Sequence, residues 1–204
     1  MQRNHLKISG SSLLRAPLPY IAFALSLLTG CQGLPVEEAK SRLAEKQVCC
    51  THFAEVQYKN AELGVRHKFE LSATSTAMIL PKGKSFFEGY SIPSGAKSVF
   101  VQAVASSGFV QTASQIDAAI VVLDERKVPI ARFDTLQYSL DKHVILPGLW
   151  EWFQGTKIEI PKNAAYLIIS ADPGSIRTQI AYSENGAAFY MPSAPIGTIA
   201  FIFQ

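Results

Sequence analysis

Long apolar runs and unbalanced charge are both scarce in this 204-residue sequence. Its most apolar early stretch, Leu18 to Leu28, is roughly half the ~20 residues needed to cross a hydrocarbon core, which excludes an ordinary transmembrane anchor there. Charged residues are 17% of the chain against 48% hydrophobic, a balance that favours a packed core over disorder. Three of the nineteen basic residues, Arg3, Lys7 and Arg15, precede the apolar stretch with no acidic residue among them. The rest holds sixteen basic against sixteen acidic side chains and is neutral. A neutral body gives no sign of a nucleic-acid partner, since phosphate binding draws on an excess of basic residues.

Catalytic patterns are equally sparse. Beyond the first thirty residues the histidines are His52, His67 and His143, and none has a partner at zinc-ligand spacing. No Gly-x-Ser-x-Gly elbow occurs. The tripeptide Gly83-Lys84-Ser85 resembles the end of a phosphate loop, but that loop needs a glycine where Met78 stands, so the tripeptide reads as a turn opening a strand. Asp117, Asp124 and Glu125 lack the spaced oxygen ligands of a calcium loop and read as the close of a strand. The expectation is a non-enzymatic protein with no metal and no cofactor.

What is present starts at the beginning of the chain. Basic residues, a short apolar run and the small pair Thr29-Gly30 follow the order of a secretory signal peptide. Leu28-Thr29-Gly30-Cys31 resembles the lipobox of bacterial lipoproteins, which implies cleavage after residue 30 and acylation of Cys31. Each buried methylene adds about 0.8 kcal/mol, so three chains on Cys31 anchor the protein to a bilayer without spanning it. Position 32 is Gln, not the Asp that retains such proteins at the inner membrane of enteric-type bacteria. The expected location is therefore the periplasm, at the outer membrane. The division expected is a signal peptide at 1–30, a lipidated tether at 31–50 and a domain at 51–204. Within the tether, "PVEEAKSRLAEKQ" has Pro35 at a helix start, glutamates in the first turn and basic residues later, with a thin apolar stripe of Val36, Ala39 and Leu43.

From His52 onward strand patterns dominate. "VRHKFEL" alternates through Val65, His67, Phe69 and Leu71, and "SFFEGYSI" puts Phe86, Glu88, Tyr90 and Ile92 on one side. Turns at Pro93-Ser94-Gly95, Pro161-Lys162-Asn163 and Asp172-Pro173-Gly174 separate further runs. With almost no helical pattern between them, the fold class expected is all-β: an antiparallel, jelly-roll-like β-sandwich with a short N-terminal tether helix. Three runs, "AAIVVL", "AYLIIS" and "IAFIF", are apolar on both faces. Something covers their second face, either the protein itself or a protein partner.

The segments "CCTHFAEVQY", "PKGKSFFEGYSIP", "DAAIVVLDERKVPI" and "EIPKNAAYLIISAD" resemble the maltose operon periplasmic protein family, MalM-like, over roughly residues 49 to 172. The resemblance implies a secreted β-rich domain tied to maltose and maltodextrin utilisation, without catalytic residues to carry over.

Two pairs of residues stand out chemically. Cys49 and Cys50 are adjacent, with Cα atoms about 3.8 Å apart, below the ~4.4 to 6.8 Å usual for a disulfide. A strained vicinal disulfide, two buried thiols and a bridge to another chain are all open. In "GLWEWFQG" an extended chain puts Trp150 and Trp152 on one face, either as a stacking platform for a carbohydrate ligand or as core. The function expected is a membrane-anchored accessory or binding protein linked to carbohydrate uptake. The alternative is an envelope assembly factor that meets a protein partner.

Overall fold

The computed structural model describes residues 36–106, 114–133, 139–146, 149–174, 179–182 and 188–204; the strands within 139–152 and 179–191 are described by backbone pairing. Cys31 lies outside the described residues. Leu34–Gln204 forms one compact unit.

A helix, α1, spans Val36–Glu45, with Glu37 and Glu38 in its first turn and Arg42 in its last. That order complements the helix dipole. Its ion pairs, Lys40 to Glu37 at 2.9 Å and Arg42 to Glu38 at 2.8 Å, are exposed and add little. What holds the helix is Ala39 and Leu43, both buried, with Leu43 in the main core. The segment expected as a tether is therefore docked on the body.

Fourteen strands follow among the described residues: β1 (Val48–Cys50), β2 (Tyr58–Asn60), β3 (Arg66–Leu71), β4 (Ala77–Leu80), β5 (Gly83–Ser91), β6 (Ser98–Val104), β7 (Ala118–Leu123), β8 (Pro129–Phe133), β9 (Ser139–Leu146), β10 (Leu149–Glu159), β11 (Tyr166–Ala171), β12 (Gln179–Tyr182), β13 (Ala188–Met191) and β14 (Gly197–Phe203). One sheet has the order β1-β4-β5-β11-β7-β8, with β2 added beside β5; the other is β3-β14-β6-β10-β9, and β12 and β13 pair separately. These are the two sheets of an all-β sandwich. Its strand pairs are antiparallel except β1 with β4 and β2 with β5.

Period-two alternation builds the core between the sheets. Phe86, Ile120, Val122, Leu167 and Ile169 point in from one sheet, and Leu71, Val99, Val101, Ile199 and Phe201 from the other. Full burial of such side chains stabilises by about 1.5 to 3 kcal/mol each. Phe201 joins the layers, its ring 4.6 Å from that of Tyr90 and nearly edge-on.

A second apolar layer lies on the other face of the larger sheet. Phe87, Val121, Leu123 and Ile168 are buried there with Cys50, Val56, Met78 and Leu80. The cover is the chain's own segment from Cys50 to Tyr58, which explains why β7 and β11 are apolar on both faces. It packs so closely that a Cβ added to Gly89 would lie 2.9 Å from Val56 Cγ1, 3.0 Å from Tyr58 Cδ1 and 3.2 Å from Ile168 Cδ1. Only glycine leaves that space.

Candidate functional site

The covering segment also creates a groove. One edge of β5 is shared by two strands: β4 pairs antiparallel as far as Phe86, and β2 pairs parallel from Gly89. The stretch between them, Phe87 and Glu88, lies where the two strands part, with the Phe87 N–H donating to Thr76 O at 3.2 Å. A groove of about 690 Å³ opens at this split, walled by residues 49–57 and by the β3–β4 turn. Its size falls in the range usual for small-ligand sites.

On the first wall the sulfurs of Cys49 and Cys50 are bonded to each other, their Cα atoms 3.8 Å apart. Cys49 is exposed and Cys50 is buried in the second apolar layer. A single 3-10 turn, Phe53–Glu55, follows. Glu55 Oε2 accepts the Thr51 N–H at 2.8 Å and that of His52 at 3.5 Å. The Thr51 bond is the main reason the Glu55 carboxyl sits below its ordinary pKa, with the backbone and charge of His52 adding to it against some desolvation. Beyond the turn, Tyr58 donates its hydroxyl to Phe53 O at 2.9 Å. Desolvation, with Tyr166 beside it, pushes that hydroxyl above the usual tyrosine range. Lys127 donates to Ala54 O at 3.0 Å while its ammonium stands 5.0 Å from the Tyr58 ring centre. The turn is thus fastened to the β7–β8 hairpin by a hydrogen bond and a cation–π contact.

The opposite wall is a hydroxyl-rich turn, Ser72 to Thr76. Ser72 Oγ and Thr74 Oγ1 are 2.8 Å apart, and Ser75 Oγ accepts the Ser72 N–H at 2.9 Å. Lys46 ties this turn to the body through Ala73 O at 3.2 Å and Thr74 O at 3.3 Å. Lys59 and Glu88 pair at 2.7 Å within the groove, and Glu70 lines it too. Hydroxyls and carboxylates therefore stand beside the exposed Cys49 of the disulfide, while Val56 and Phe87 at the base are almost fully covered. Such a mostly polar lining, with the disulfide at one side, suits a small, hydroxyl-rich ligand.

The residues singled out by sequence are distributed unevenly around this groove. Cys49 and Cys50 are in its wall, and His52 sits at the turn behind it. Trp150 and Trp152 lie in β10, paired with Val144 and Lys142 of β9; their side chains are outside the described residues. His143 is in β9 opposite Glu151. His67 is structural, stacked on Phe201 at 5.1 Å and accepting the Glu62 N–H at 3.0 Å. Asp124 closes its own turn by accepting the N–H groups of Arg126 and Val128, both at 2.9 Å. Gly83 opens β5 with φ of 133°, a conformation suited to glycine. Sequence reasoning missed Glu55, Lys59, Glu70, Glu88 and the 72–76 hydroxyls. The one local signal was the polar run "SATST" between two strands. Comparison with protein-family models, curated proteins and solved structures finds no match to this chain.

Proposed function

We propose that this chain is an outer-membrane lipoprotein, anchored through Cys31 with its body in the periplasm, that binds carbohydrate without catalysis as an accessory to maltodextrin uptake. The observation that carries the ligand class is the groove at the split edge of β5, where hydroxyls and carboxylates gather beside the exposed Cys49 of the disulfide. Sugars match it, since their hydroxyls need placed donors and acceptors and the disulfide gives their C–H face one polarisable contact. This reading seats the ligand in the groove, and the Trp150 and Trp152 side chains lie outside the described residues. The protein-partner alternative drew on the two-faced apolar strands, and for β7 and β11 that argument is gone, because residues 50–58 bury the second face.

Calorimetric titration of maltose through maltohexaose against the purified full chain in detergent tests this reading. Saturable binding is expected, weakened at least tenfold by Glu88→Gln, which removes an acceptor and the charge partner of Lys59. If no member of the series binds, carbohydrate recognition is refuted. Palmitate labelling of the wild type and of Cys31→Ser tests the anchor separately, with label expected only in the wild type.

A further inference from the structure

The two bonded cysteines face different surroundings. Cys49 is exposed at the groove, whereas Cys50 also belongs to the apolar layer with Met78 and Phe87. The ring they close is anchored on both sides. Val48 before it and Cys50 within it pair with β4, and Glu55 fastens Thr51 after it. Its sulfurs carry no N–H or O–H, so beside the hydroxyl turn they offer a soft, polarisable apolar surface. Adjacent cysteines form a ring tighter than the usual disulfide span, which makes it readily reducible.

We propose that the Cys49–Cys50 disulfide is both the ligand-contacting wall of the groove and a redox switch acting on it. The ligand named here rests on the carbohydrate reading above; the redox chemistry does not. In the oxidised chain one face of a sugar ring packs on the disulfide while its hydroxyls meet the carboxylates and the 72–76 turn. A dithiol reductant reverses this. Its thiolate attacks the exposed Cys49 sulfur, the S–S bond breaks, and Cys50 leaves as a thiolate that takes up a proton. The reductant's second thiol then attacks the mixed disulfide and frees Cys49, so two electrons pass to the protein and the reductant departs as a disulfide. The two thiols no longer hold residues 49 and 50 in one shape, and the wall is lost while Cys50 stays among its apolar neighbours.

Treating the purified full chain with dithiothreitol under native conditions tests each step. Residue-resolved alkylation should trap Cys49 at least tenfold faster than Cys50. Amide exchange across residues 49–57 and 87–89 should accelerate at least fivefold, with β6 and β14 unchanged. Affinity for maltotetraose should fall at least tenfold and return on reoxidation. Cys49→Ser combined with Cys50→Ser should reproduce the reduced values without reductant. Exchange at 49–57 that ignores reduction overturns the switch, and equal sugar affinity in both redox states overturns the wall. Redox-dependent exchange in a chain that binds no malto-oligosaccharide supports the switch and overturns only the carbohydrate reading.

Discussion

The two apolar layers on either side of the larger sheet share strands but differ in how they are secured. The inner layer is enclosed by a second five-stranded sheet, and its members come from α1 and from β3, β4, β5, β6, β7, β10, β11 and β14. The outer layer is enclosed by a segment of about a dozen residues whose two strands, β1 and β2, have three residues each and pair in parallel. Loss of one contact inside is spread over many neighbours. Outside, a few local fastenings decide whether the cover stays down: the fit at Gly89, the Lys127 contacts and the Glu55 carboxylate. The inner layer fixes the fold, and the outer one sets the shape of the groove.

The comparison breaks most severely from the inside. Phe201→Ala should cost about 3 to 5 kcal/mol, the range for deleting a buried large aromatic. Calorimetric melting should show a single lowered transition, with both layers lost together. A second, milder substitution sharpens the contrast. Gly89→Ala places a methyl within 2.9 to 3.2 Å of three side-chain atoms, so it should cost about 1 to 3 kcal/mol by overpacking. Amide exchange should rise at residues 50–58 while β6 and β14 keep their protection. Uniform acceleration across both sheets would show that the outer layer is not separable.

The smallest expected effect is a pH dependence. The Glu55 carboxyl is depressed below its ordinary pKa in the folded chain by the Thr51 N–H. A group of this kind contributes fully above its unfolded pKa, and the contribution is lost as pH falls through the lower folded value. Acidification below the ordinary carboxylate range should therefore loosen the 3-10 turn first. Exchange of the Thr51 amide followed against pH should show this step, and Glu55→Gln should remove it.

The sandwich was legible because its information is local. Alternation through His67, Phe69 and Leu71, and the two-faced runs of β7 and β11, can be counted within a few residues of sequence. What covers those runs was not legible. "CCTHFAEVQY" has neither a strand nor a helix period, and its strands are too short to announce themselves; only pairing with distant β4 and β5 creates them. The helix was legible as amphipathic on a thin stripe, but its docking was not: Ala39 and Leu43 are buried, and Lys84 of β5 donates to Ala44 O at 2.8 Å. The groove draws on three stretches, around residues 49–59, 70–76 and 87–89, and no spacing rule connects them. Cys49 and Cys50 stood out because adjacency is itself a local signal.

The shared edge of β5 also works as a ruler. The groove mouth runs from Phe86, where β4 ends its pairing, to Gly89, where β2 begins, an interval of three residue steps or roughly 10 Å at about 3.3 Å per residue. One residue inserted there would turn every later side chain of β5 onto the opposite face, sending Tyr90 out of the core. Only an even number of added residues keeps both layers in phase. The aperture can therefore be widened in increments of about 6.6 Å and not continuously, so a groove redesigned along β5 for a longer ligand would change its size class in jumps.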